Sequence, residues 1–233
     1  MVGLSQQKME QNKQEIIGLL NSTGREGMDK LVSYLQKHDY FSAPASTKYH
    51  LCCMGGLAQH SLNVYYNLMR LFYGDGWKSI VDPVKRPDYP VLFEGTDNEV
   101  EHENIIIVAL LHDLCKVDSY KVVNRNVKED GAWKEIQVYE FDEQIPILGH
   151  GTKSVVVAQQ FIRLYLPELQ AISFHMGNQD SDKVFSSTVS GVFKTCRLAL
   201  FIHLADCRAT FVEDEDSVRD PSLAPISDDS IPF

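Results

Sequence analysis

Apolar positions recur at helical spacing through most of this chain. Met28, Leu31, Val32 and Leu35 follow an i, i+3, i+4, i+7 pattern, and the stretch from Gln7 to Leu20 repeats it more loosely. Together they predict two helices of an N-terminal layer, residues 1–48. A loop is expected from Phe41 to Met54, where Pro44, Ser46 and Thr47 interrupt the pattern, then a helix from Gly56 to about Phe72. Pro83, Pro87 and Pro90 predict an irregular excursion between Ile80 and Asn98. Helical periodicity returns over Glu99 to Lys116, Gly151 to Leu166, Glu168 to Met176 and Val189 to Phe211. Only Tyr120 to Val127 and Trp133 to Phe141 alternate with period two, and Lys128-Glu129-Asp130-Gly131-Ala132 between them supplies turn chemistry. The pattern predicts an all-α domain over residues 49–211 with one small inserted β-hairpin and no internal repeat.

A length of 233 residues suits one domain with appendages and is enough to bury a sizeable core. The formal net charge is −10, and much of it is local: residues 212–233 hold seven acids and one base. That segment, with Pro221, Pro225 and Pro232 and few large apolar groups, is expected to be a flexible acidic tail. The remaining body is still acidic, which argues against broad, sequence-independent wrapping of nucleic acid. The five cysteines (Cys52, Cys53, Cys115, Cys196, Cys207) form no CxxC pair and no even-numbered framework. With no cleavable signal pattern at the start, reduced thiols in a cytoplasm are the expectation. The longest apolar run, Ile105 to Leu111, is too short to cross a bilayer, so no membrane role is expected.

Six residues change this picture: His60 in GGLAQHSLNV, the pair His112-Asp113 in LLHDLCK, His150 in GHG, His175 in SFHMG and Asp206 in HLADCRA. A lone histidine is usually a core or surface residue. A carboxylate that closely follows the apolar run, however, is costly to bury without a cation or donors, and Asp113, just after His112, is such a residue. Imidazole and carboxylate donors without thiolates suit a divalent ion of the Mn, Fe, Co, Ni or Zn type. Within a helix His112 and Asp113 would differ in direction by about 100°, so both reach one ion only if it sits beside that helix and other helices supply the remaining ligands. His38 and His102 lie in polar surroundings and are expected to be solvated. His203, about one turn before Asp206, is placed to support a ligand.

The order H…HD…D, with GGLAQHSLNV and LLHDLCK around the first ligands, resembles the HD superfamily of metal-dependent phosphohydrolases. The extra histidines His150 and His175 resemble the subgroup in which a second metal shares the bridging aspartate, as in bacterial 3′-to-5′ exoribonuclease HD domains and small bacterial and phage HD hydrolases. The resemblance spans roughly Tyr49 to Phe211. It implies an HD-domain helical bundle in which His60, His112, Asp113 and Asp206 hold one metal, while Asp113 bridges to a second held by His150 and His175. It also implies that Lys116 faces substrate phosphate and that His50, in YHLCCMGG, touches substrate. In such enzymes a metal-activated water is the nucleophile. The hairpin joins two ligand segments, so Lys121 and Tyr139 are candidates for phosphate contact and base stacking.

The last seven residues, SDDSIPF, are similar to the C-terminal tip of bacterial single-stranded-DNA-binding proteins. That similarity implies docking of Asp228, Asp229, Ile231, Pro232 and Phe233 onto replication and repair proteins. Three functions remain open from the sequence: hydrolysis of a nucleotide phosphate mono- or diester, 3′-to-5′ exonuclease action on single strands, and an adaptor acting through its tip.

Overall fold

The computed structural model describes residues 3–74, 101–129, 131–142, 149–177 and 185–214. The proline-rich excursion at 80–98 and the candidate docking tip at 228–233 lie outside them. The described residues form eight α-helices: α1 (Gln6–Ser22), α2 (Met28–Lys37), α3 (Gly56–Tyr73), α4 (His102–Leu111), α5 (His150–Ala158), α6 (Leu166–Phe174), α7 (Phe185–Thr195) and α8 (Arg197–Arg208). Strands β1 (Tyr120–Glu129) and β2 (Ala132–Phe141) pair antiparallel between α4 and α5, in register from Tyr120–Phe141 to Glu129–Ala132. The architecture is thus mainly α with one hairpin. Among the described residues no single helix is long and apolar enough to cross a membrane.

The run Ile105 to Leu111 explains where the core sits. Seven consecutive apolar residues leave no polar face, and such a helix is stable only when surrounded. All seven are buried, and α1, α3, α6 and α8 pack around α4. At about 2 kcal/mol for each large side chain taken from water, this helix is a principal source of stability. Ile16, Leu19 and Leu20 of α1 and Leu31 and Leu35 of α2 belong to the same apolar cluster. The Glu168 carboxylate, fully buried, accepts from Arg25 (2.8 Å), Asn104 (3.0 Å) and the Tyr165 amide (2.7 Å), tying α6 to α4 and to the turn before α2. Gly56 opens α3 where a Cβ would sit 2.1 Å from the Leu51 carbonyl oxygen, so the loop carrying His50 lies directly against α3.

Four expectations are corrected. The segment Val189 to Phe211 is not one helix: at Cys196 the backbone turns extended (φ −123°, ψ 98°), and the chain bends by 107° between α7 and the helical stretch Arg197–Glu213. No Pro or Gly marks the break. Cys196 is buried in the core, and the bend lets both helices bury apolar faces, with Val189 and Val192 on one and Leu198, Phe201 and Ile202 on the other. The helix expected through Lys116 ends at Leu111, and Asp113 (φ −103°, ψ 19°) leads into a short 3-10 turn at Leu114–Lys116. His102 is buried rather than solvated, with its Nε2 3.0 Å from the Tyr65 hydroxyl, because α4 is enclosed from its first residue. Finally, the fold does not end at residue 211. A π-helical turn, Ala209–Glu213, continues α8, and Asp214 is fully buried.

Candidate metal centre

The local structure around each predicted ligand differs. His60 sits in the middle of α3 and Asp206 in the last turns of α8, whereas the others lie at helix ends: His112 caps α4, Asp113 comes directly after it, His150 begins α5 and His175 caps α6. The two capping histidines share one arrangement. His112 Nδ1 lies 2.8 Å from the Ala109 carbonyl oxygen and His175 Nδ1 lies 2.7 Å from that of Ile172, each three residues back. Carbonyls in a helix's last turn lack helical partners, and the ring N–H donates to one of them. Since a carbonyl can only accept, this assigns the proton to Nδ1 and leaves Nε2 as a lone pair.

These lone pairs converge. His60 Nε2 is 3.3 Å from His112 Nε2, 3.1 Å from Asp206 Oδ1 and 3.6 Å from Asp113 Oδ2. His112 Nε2 is 3.4 Å from Asp113 Oδ2. Ligand atoms about 2.1 Å from one ion stand roughly 3.0–3.4 Å apart in octahedral or tetrahedral geometry, so this spacing is that of a coordination shell. The other oxygen, Asp113 Oδ1, faces a second set, His150 Nε2 at 2.6 Å and His175 Nε2 at 3.6 Å. The Asp113 carboxylate therefore divides the donors, with one oxygen toward each set. His60, His112, Asp113 and His175 are at most 3% exposed, and His175 Nε2 has no hydrogen-bond partner. Acceptor atoms crowded this way repel one another unless a cation or protons lie among them, which is the reason to read the cluster as a cation site. His60–His112–Asp206 and His112–Asp113–His175 are two of the groups compact enough to hold a metal ion.

Lys116 and the buried rings reflect the same electrostatics. Lys116 Nζ is 2.6 Å from Asp113 Oδ2. Burial opposes charge on Asp113, but Lys116, His112 and His150 outweigh it and hold the carboxyl well below its usual range. Burial likewise opposes a charged His150, and Asp113 overcomes it, pushing the ring up to about 10. In His60 burial is outweighed by Asp214 and Asp206, again giving about 10.

These shifts set a pH dependence. The raised His60 and His150 values favour the metal-free fold fully below about pH 6.5, and that contribution is lost as pH rises through about 10. The depressed Asp113 and Asp206 act oppositely, stabilising above about pH 4 and losing that contribution on acidification. Metal binding must displace the imidazole protons, so affinity should rise with pH by about one decade per unit for each proton released. The Tm gained on adding Mn²⁺ to chelator-treated protein is therefore expected to be larger at pH 8 than at pH 6. An equal gain at both would contradict coordination by these rings.

The centre opens into a cleft of about 110 Å³ whose lining includes His50, Lys116, Met176, His203, Cys207 and Phe211. His50 Nε2 is buried without a hydrogen-bond partner, its ring 5.0 Å from that of His60, and burial lowers its pKa to about 4. His203 Nδ1 lies 2.6 Å from the His175 carbonyl oxygen, so it steadies the backbone of a candidate ligand. Lys121 and Tyr139 are not among the cleft's lining residues. Lys121 pairs across the hairpin with Glu140 and Tyr139 with Val122, so their side chains leave opposite faces. A larger surface concavity, about 630 Å³ between Glu26 and Arg163, contains none of the ligands.

Sequence reasoning missed two residues. Phe211, 73% exposed at the cleft, lies at the end of the apolar periodicity and carried no signal. Asp214 was assigned to the acidic tail, yet its Oδ2 lies 2.7 Å from His60 Nδ1 and its Oδ1 2.7 Å from Asn63 Nδ2. In a regular helix residue 214 would stand about 80° away from Asp206. The wider π turn absorbs one residue and brings Asp214 to within about 20° of the same face.

Comparison with known protein families, with curated proteins and with solved structures finds no match to this chain.

Proposed function

We propose that this protein is a metal-dependent phosphohydrolase of the HD type, cleaving a phosphate mono- or diester of a nucleotide. The observation that carries the reading is the division of the Asp113 oxygens between two histidine sets, with Lys116 beside them. His60, His112 and Asp206 would hold one divalent ion and His150 and His175 a second, with Asp113 common to both. Bound there, the ions would polarise a phosphoryl oxygen and activate water.

The chain's own residues have separate duties. Lys116 presents a fixed positive charge to phosphoryl oxygens, where charge develops during hydrolysis. His50 lines the cleft and its Nε2 has no hydrogen-bond partner, so it is a candidate to hydrogen-bond a phosphate oxygen. The cleft is smaller than the roughly 300 Å³ of pockets that enclose whole small ligands, which suits seating the phosphate inside and leaving the organic part at the mouth beside Phe211 and Met176.

The test is a chelator-stripped protein reloaded with Mn, Fe, Co, Ni or Zn and given mononucleotides, cyclic dinucleotides and short oligonucleotides. Metal-dependent release of phosphate or nucleotide, abolished by His112→Ala, is the expected result. Turnover confined to oligonucleotide ends would favour the exonuclease reading, and no turnover with any ion would overturn the enzyme reading.

A further inference from the structure

A continuous line of buried hydrogen bonds runs from α1 to the metal centre. Asn12 Nδ2 donates to Gln59 Oε1 (3.0 Å), Gln59 Nε2 to Asn63 Oδ1 (2.9 Å), and Asn63 Nδ2 to Asp214 Oδ1 (2.7 Å). Asp214 Oδ2 is then 2.7 Å from His60 Nδ1. Asn12, Gln59, Asn63, His60 and Asp214 are each at most 6% exposed. Every amide is oriented with its N–H toward Asp214 and its carbonyl away from it. A carboxylate can only accept, so the line ends on an anion whose remaining partner, His60 Nδ1, must donate.

We propose that Asp214 is a positioning residue that fixes His60 with its proton on Nδ1 and its Nε2 lone pair aimed at the metal. This rests on the metal reading of the site. The His60 ring is held between two carboxylates of one continuous helical segment, Asp206 at Nε2 and Asp214 at Nδ1. His112 and His175 obtain the same tautomer from carbonyls in their own helices, but His60 lies mid-helix, where backbone carbonyls are already bonded within α3. It therefore needs an acceptor from elsewhere, and the π turn delivers one. Asn63 and Gln59 hold the acceptor in place through α3 itself, one helical turn on and one residue before His60.

Two variants separate positioning from packing. Asp214→Asn keeps the shape but gives the position only one acceptor. Whichever way the new amide turns, it sets a donor against either His60 Nδ1–H or Asn63 Nδ2–H, and relief requires Asn63, Gln59 and Asn12 all to turn over together. The double variant Asp214→Asn with Asn63→Asp restores a full set. The carboxylate at position 63 accepts from Gln59 and from the new amide, whose oxygen again accepts from His60. Loss of an outer-shell partner of a ligating histidine costs about 10- to 100-fold in metal affinity, so Mn²⁺ or Zn²⁺ titration calorimetry should show that loss in the single variant. The double variant should recover to within a few-fold of wild type.

A second readout needs no metal. In chelator-treated protein above about pH 10, where the His60 ring has given up its second proton, ¹⁵N resonances of that ring should report the Nδ1–H tautomer in wild type and double variant, and a mixture in the single variant. Unchanged affinity and tautomer in Asp214→Asn would overturn the proposal, as would a loss that the double variant fails to repair while melting like wild type. If the wild type binds no divalent ion, the metal reading fails, and the tautomer measurement still decides the role of Asp214.

Discussion

On the phosphohydrolase reading proposed above, Asp113→Asn is expected to lower kcat/KM by about 10³-fold, roughly 4 kcal/mol of transition-state stabilisation, and to remove most bound divalent metal. The reason is that, among the described residues, Asp113 is the one carboxylate facing both donor sets, Oδ2 toward His60 and His112 and Oδ1 toward His150 and His175. An amide offers one oxygen, uncharged, and turns an N–H toward one of the sets. The metal-free protein should suffer as well. Lys116 is only 11% exposed and 2.6 Å from Asp113 Oδ2, so the substitution leaves a nearly buried cation without its neutralising partner, a loss of about 3 kcal/mol. Metal content by mass spectrometry, Tm in chelator and steady-state kinetics check the three effects together. Loss of activity with full metal content would show that the carboxylate serves the reaction without binding the ions.

Gly151→Ala is expected to lower Tm by about 4–8 °C and to weaken the donor set formed by His150 and His175. Gly151 lies in the first turn of α5, where a Cβ would stand 2.5 Å from the carbonyl oxygens of both Ile172 and Ser173 in α6. Those are backbone atoms of a packed helix and cannot swing aside. Alanine gains about 1 kcal/mol over glycine in a helix, but overpacking of up to about 3 kcal/mol exceeds it, a net loss near 2 kcal/mol. Relief of the clash pushes α5 away from α6, and with it His150 from His175, whose ring centroids are 5.3 Å apart. Gly191→Ala is the control: nothing lies within 4 Å of a Cβ there, and the same change should be neutral or slightly stabilising. Thermal melts of the two variants, with metal stoichiometry for the first, decide the matter. A Gly151→Ala protein melting at or above wild type would show that α5 and α6 have room to spare.

Much of the helix plan was legible because it is written in local periodicity. The Met28–Val32–Leu35 pattern and the Gly56 start of α3 needed only residues within one or two turns, and the hairpin needed only alternation around a glycine turn. The failures share a cause. The break at Cys196 has no Pro or Gly and exists because α7 and α8 each find a better surface when bent. His102 looked solvated because its sequence neighbours are polar, yet the helix it opens is surrounded. Asp214 looked like the first acids of a tail, since the π turn that brings it inward leaves no mark in hydrophobic spacing.

From the sequence alone came the chemical inventory: which imidazoles and carboxylates stand in unusual apolar settings, and which helix, apolar on every side, must lie at the centre. Only the tertiary structure decided how those groups meet. It set the two oxygens of Asp113 toward different histidines, put Lys116 against one of them and joined His60 to Asp214 across 154 positions of chain. Side-chain type is a local property that can be read position by position. Convergence within a few ångströms depends on how α3, α4, α5, α6 and α8 pack, and that is set by the whole core at once.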